Sequence, residues 1–218
     1  YARRGERSLS LDLYSRPRPA DAPPVPIVVM VHGGGWSSGH PDDLPDLARY
    51  LAAHGYVVAA PEYRLAPEHR FPSALDDLRA AVEFLRGRAR TWGADVDGVV
   101  LVGRSAGGNP RVYDGTAAIE AFLGGPPSAA APAYAAASAY ARASDEAPPT
   151  LLLHGRKDEV VWVEQSRRLA ARLRELGRPH LLIELPWATH GCDFALMGPC
   201  GQLTVYAVER FLAAVTAH

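Results

Sequence analysis

The 218 residues fit one ordinary domain, and 48% apolar with 22% charged side chains is the make-up of a globular chain, which excludes general disorder. Twenty-three basic against 24 acidic side chains leave a net charge of -1, so no global field draws the protein to nucleic acid or anionic lipid. Function has to come from a local site.

In chain order, Leu9, Leu11 and Leu13 alternate with Ser8, Ser10 and Asp12, the period-two pattern of an edge strand with one wet face. Ile27–Val31, Tyr56–Ala60, Val99–Val102, Leu151–Leu153 and Leu181–Leu185 are short, almost continuously apolar runs, as strands covered on both faces are. Helices are predicted between them. Asp42–His54 carries Leu44, Leu47 and Leu51 before Gly55, and Ser73–Arg86 carries Leu75, Leu78, Val82 and Leu85 before a stop at Gly87. A third spans 163–176 before Gly177, and a fourth spans 203–215 with Leu203, Tyr206, Ala207 and Phe211 on one stripe. Residues 15–26 and 124–132 are rich in proline or glycine and read as extended loops. Alternating strands and helices predict an α/β fold, a mostly parallel sheet with helices on both faces, in one domain over 1–218.

No apolar run approaches the ~20 residues needed to cross a bilayer. The chain begins at Tyr1 without methionine, which leaves room for an upstream signal or anchor. The compartment stays open, with the cytoplasm favoured over secretion or tethering. Cys192 and Cys200 are the only cysteines, without a zinc-ligand set around them. Eight residues apart, they close a small loop if oxidised, or stay free thiols in a reducing compartment. No metal or cofactor is expected.

Gly103-Arg104-Ser105-Ala106-Gly107 follows an apolar strand, the context of a nucleophile elbow, in which small neighbours allow a sharp, strained turn that lifts the serine hydroxyl off the sheet edge. His32-Gly33-Gly34-Gly35-Trp36 follows another strand, and its glycines let backbone N–H groups approach a developing oxyanion. Asp158 and His190 each lie just beyond a strand, at the carboxyl edge where open α/β sheets bind ligands. Their order, Ser105, Asp158, His190, is that of an α/β-hydrolase triad.

With HGGGW at 32–36, PEYRLAPE at 61–68, GRSAGG at 103–108 and these acid and histidine segments, the chain resembles the α/β-hydrolase superfamily, and within it the hormone-sensitive-lipase-like esterase branch. The resemblance covers nearly the whole chain. It implies Ser105 as nucleophile, His190 as base then acid, Asp158 as orienter, and Gly34, Gly35 and Ala106 as oxyanion donors. It implies hydrolysis of carboxylic esters with short acyl chains, a small-molecule ester partner and no cofactor. Tyr63, Glu68 and Asp76 match positions that shape the scaffold near the site, and read here as braces rather than catalysts. Trp36 and Trp187 are candidates for the substrate pocket or for plain core. His154 precedes the Asp158 loop and is expected to pack beneath it. Cys192 stands where an aromatic residue is expected after the catalytic histidine.

The pattern breaks after the elbow. Asn109-Pro110 and then Asp114-Gly115 follow at once, and these turn signals forbid a helix of useful length there. Nor does a strand-like apolar run occur between Ala106 and Pro149, so one helix and one strand of the fold are missing. Either a segment has been left out between Gly108 and Asn109 or the deletion is real; the other intact motifs favour omission, which predicts a chain break at that junction. Two rival functions remain: an arylformamidase-type amide hydrolase and a catalytically inactive binding module. A homodimer is compatible with the sequence, as no residue decides the oligomeric state.

Overall fold

Val25–Val31 and Val57–Pro61 are dense in β-branched and small apolar residues, and in the computed structural model, which describes residues 1–19, 21–43, 45–105 and 115–216, they form the centre of a sheet. The chain divides into two compact units, Tyr1–Ala106 and Gly107–His218.

In the first unit, β1 (Ala2–Arg4) and β2 (Arg7–Leu9) form an antiparallel hairpin. Then β3 (Leu11–Tyr14), β4 (Val25–Val31), β5 (Val57–Pro61) and β6 (Ala94–Gly103) make a sheet of order β3-β5-β4-β6. Only β3, at the edge, runs antiparallel to its neighbour. The predicted edge strand is thus two strands that part at Ser10, where the hydroxyl donates to Glu62 Oε2 (2.8 Å) and the carbonyl accepts from Glu62 N (3.1 Å).

A 3-10 turn at Pro41–Asp43 precedes α1 (Pro45–Ala53). The helix begins later than the predicted Asp42, because proline suits a first helical turn, where its missing N–H is no loss; Leu44 lies outside the described residues. Helix α2 (Ser73–Arg88) runs through Gly87, the predicted stop, and a 3-10 stretch (Ala89–Trp92) carries the chain to Gly93, which takes the left-handed φ of 64°. Leu85 and Ala89 are fully buried against Ile27, Val29, Val57 and Ala59. Core packing on both sides of Gly87 outweighs the ~1 kcal/mol that a mid-helix glycine costs.

In the second unit, β7 (Thr150–Gly155) and β8 (His180–Leu185) pair in parallel. Five helices accompany them: α3 (Gly115–Leu123), α4 (Pro127–Ala137), α5 (Ala139–Arg142), α6 (Glu164–Glu175) and α7 (Pro199–Thr216). Most of the predicted loop 124–132 is therefore helical. Pro127 sits in the first turn and alanines fill the rest, while Pro132 coincides with a kink at Ala130 (φ -126°, ψ 26°). The phase of α7 also differs from prediction. It buries Cys200, Thr204, Ala207 and Leu212, while Leu203 and Tyr206 lie exposed.

Two strands are less covered than predicted. Leu101 on β6 is 64% exposed and Leu181 on β8 is 52% exposed, whereas Val28 and Val58 on the central strands are fully buried. Among the described residues β6 pairs only with β4, and residues 115–149 hold no strand. The Gly108–Asn109 junction lies outside the described residues. No helix among the described residues is long and apolar enough to cross a membrane.

Candidate active site

Two neighbouring parallel strands of the first unit end at the same level, Val31 of β4 beside Gly103 of β6. Continuing that register by two residues brings Gly33 next to Ser105. A Cβ on Gly33 would meet Ser105 Cβ at 3.1 Å and Arg104 O at 3.2 Å, so only glycine admits this approach without displacing the serine. Ser105 itself has φ 59°, the sparsely populated left-handed conformation that a nucleophile elbow requires.

The glycine turn is held from outside. Gly34 and Gly35 take φ of 104° and 60°, and Trp36 takes 61°. The Gly34 carbonyl accepts from Ser38 N (3.0 Å) and Ser38 Oγ (2.9 Å), and Ala66 N donates to Trp36 O (2.8 Å). Tyr63, only 1% exposed, donates its hydroxyl to His32 O (2.9 Å) and stacks on the His32 ring at 4.2 Å. Burial drives the Tyr63 phenol well above its ordinary pKa and the His32 imidazole below its own, so both stay neutral at pH 7 and brace the turn as uncharged groups. Ala106, the remaining predicted oxyanion donor, lies outside the described residues.

In the second unit, Asp158 and His190 stand on the turns that follow β7 and β8. Gly155 ends β7 so close to the Ala188 carbonyl that a Cβ there would collide with it. Arg156 N donates to Leu185 O (2.9 Å) and Lys157 N to Ala188 O (3.0 Å), which ties the two turns together. Asp158 Oδ1 accepts from Val160 N (2.9 Å) and Val161 N (2.8 Å), and Oδ2 lies 2.8 Å from His190 Nδ1. An ionised carboxylate only accepts, so the hydrogen of this bond sits on Nδ1. A disulfide between Cys192 and Cys200 closes the segment after His190 onto the first turn of α7. Trp187 is 53% exposed.

Of the three predicted braces, Tyr63 alone has buried contacts. Glu68 is exposed beside His69, and Asp76 forms a surface pair with Arg79 at 3.5 Å. The buried carboxylate is the next residue, Asp77, held by Arg64 Nε (2.7 Å), Arg64 Nη2 (2.9 Å) and Arg4 Nε (2.9 Å). Sequence reasoning passed over it, although Ala74, Asp77, Ala81 and Leu85 share the buried stripe of α2. A charge on that stripe was the available signal. Gly33 was likewise overlooked, its approach to Ser105 being legible only from strand register.

The BD-FAE family model matches residues 11–118 and the prolyl oligopeptidase family model matches 111–197. Among curated Mycobacterium tuberculosis proteins, a probable carboxylic ester hydrolase, LipM, is 28% identical over 257 residues (97% of this chain, 59% of LipM). Carboxylesterase NlhH is 40% identical over 104 residues (47% of this chain, 32% of NlhH). The chain spans about three fifths of the length of LipM and of esterase LipC. A propionate-bound esterase of Thermogutta terrifontis superposes with a TM-score of 0.80 at 23% identity, covering 97% of this chain and 91% of that one. An acetyl ester-xyloside bifunctional hydrolase of Caldicellulosiruptor lactoaceticus gives 0.82 at 19%, covering 97% and 89%. The chain is thus similar in sequence to esterases, and it shares the fold of α/β-hydrolase esterases along almost its whole length.

Proposed function

We propose that the chain is a serine carboxylesterase that cleaves short-acyl or acetyl esters through an acyl-enzyme. The observation that carries the reading is the His190–Asp158 pair, in which Nδ1 is committed to the carboxylate and the ring is oriented by it. The strained Ser105 beside Gly33 supports it, as do the esterase relatives. The reading needs the two units to act as one catalytic domain.

In this mechanism Ser105 Oγ attacks the ester carbonyl while His190 Nε2 takes its proton, and the tetrahedral oxyanion is held by the N–H groups of Gly34, Gly35 and Ala106. The C–O bond to the alcohol then breaks, and the imidazolium returns its proton to the leaving oxygen. Water, deprotonated by the same imidazole, attacks the acyl-Ser105 ester and releases the acid. Asp158 holds the ring and balances the imidazolium charge. Trp36 and Trp187 line the substrate pocket, a small-molecule ester is the partner, and no step calls for a cofactor.

Intact-mass spectrometry with a fluorophosphonate tests this directly; a Thermogutta esterase with this fold is phosphonylated by sarin. One adduct is expected, absent in Ser105→Ala, together with p-nitrophenyl acetate turnover that falls by at least about 10³-fold in that variant. A folded protein that neither labels nor turns over ester is a binding module. Preference for aryl formamides over the matching esters would assign the amide chemistry instead.

A further inference from the structure

The carboxylate of Asp158 is faced by a second imidazole. His154, on β7 four residues earlier, is nearly buried, with its side chain 10% exposed. Its Nε2 lies 2.8 Å from Val161 O and 3.3 Å from Asp158 Oδ2, and its Nδ1 lies 2.8 Å from Ser166 Oγ on α6. The proton positions follow from the partners. Val161 O accepts only, so Nε2 carries the hydrogen, and Nδ1 is then the acceptor of the Ser166 hydroxyl. The N–H that bonds Val161 O also directs its positive end past Asp158 Oδ2, the same oxygen that accepts from His190 Nδ1. Val161 is held from both sides, its N–H on Asp158 Oδ1 and its carbonyl on His154.

Building on the proposed triad, we propose that His154 is a positioning residue for the acid: it fixes the Asp158–Val161 turn and, through it, the orientation of His190. Ser166 reinforces the tautomer that does this and holds the ring from its other side. Its hydroxyl, donated to Nδ1, adds to what Val161 O and the Asp158 carboxylate already favour, hydrogen on Nε2. The serine, histidine and aspartate of this cluster have the composition of a triad but not its layout. Ser166 lies on a helix rather than an elbow, and its partner nitrogen is the one next to the histidine backbone, so the cluster acts on Asp158 and not on substrate.

The side-chain amide of glutamine can place a donor where Nε2 stands, whereas that of asparagine reaches only the Nδ1 position. His154→Asn should therefore lower kcat on p-nitrophenyl acetate by about tenfold with KM changed less than about twofold, and His154→Gln should recover most of the loss. In the full-length protein without substrate, the low-field proton resonance of His190 Nδ1–H should shift or broaden in His154→Asn and return in His154→Gln. A folded His154→Asn variant with unchanged kcat and an unmoved resonance would overturn the proposal, and so would equal losses in both variants. If His154→Asn does not fold, Ser166→Ala takes its place, with a severalfold fall in kcat and a moved resonance expected, and no change in either overturning it. The resonance is read without turnover. Absence of ester hydrolysis and of Ser105 labelling in the parent would strike the esterase reading, while an unresponsive resonance would strike this one.

Discussion

Two single residues carry much of what is specific about the first unit. Gly33 does not need its conformational freedom, since its φ lies outside the left-handed region; it needs the absence of a side chain. A methyl group there sits 3.1 Å from Ser105 Cβ, a few tenths of an ångström inside ordinary contact. Either Ser105 or the β4 end has to give. Displacements on this scale at a reacting centre cost rate far more than stability. Gly33→Ala is therefore expected to slow fluorophosphonate labelling of Ser105 at least about tenfold while lowering Tm by only a few degrees. Equal labelling rates for variant and parent would show that the close approach plays no part in the reactivity of Ser105. Tyr63 acts on the same turn from beneath. With its ring stacked on a neutral His32 and its hydroxyl on His32 O, it shows how a residue that resembles a family brace comes to be one.

At the scale of elements, what could be read locally was read and what depends on distant partners was not. The strands came from their apolar runs, and Ser105, Asp158 and His190 could be singled out because each follows such a run and lies at its carboxyl end. The phase of α7 could not be read, because it is set where Cys200 joins Cys192 and where Gly201 packs against the Ala195 carbonyl. Asp77 and His154 were missed or left vague for the same reason: their partners, Arg4 at 73 residues and Ser166 at 12, follow no short-range rule. The sheet edge at β6 is the clearest case. Its composition predicts a strand covered on both faces, yet Leu101 is 64% exposed. The alignment with LipM runs over 257 positions against 218 residues here, so LipM carries at least 39 residues that this chain lacks. Leu101→Thr is expected to change unfolding free energy by less than about 0.5 kcal/mol, whereas Val29→Thr, fully buried one strand away, should cost about 1 to 3 kcal/mol by burying a hydroxyl. Urea denaturation reads both, and a comparable loss at the two positions would mean that something covers β6.

At the scale of the whole molecule, a net charge of -1 leaves little general self-repulsion near neutral pH, so acid sensitivity falls to particular groups. Asp77 joins three segments: β1 through Arg4, the chain after β5 through Arg64, and α2, on which it sits. Burial alone would raise its pKa. The hydrogen bonds from Arg64 and Arg4 outweigh that and hold the carboxyl below its ordinary value. A carboxylate with a depressed folded pKa stabilises fully above its unfolded value of about 3.9, and this contribution is lost as pH falls through the folded value. His32 adds an earlier window. Its imidazole is kept neutral by burial, so the unfolded chain takes up a proton first, and stability declines as pH drops below about 6.5. Asp77→Asn deletes the lower window and keeps the upper one, while leaving two guanidinium groups without their carboxylate at a cost of about 3 kcal/mol at pH 7. Unfolding free energies of parent and variant should therefore run in parallel from pH 8 to about pH 5 and converge below about pH 4. Curves that stay parallel into acid would show that the Asp77 carboxyl titrates alike in the folded and unfolded chains, and that the three segments are held together by packing instead.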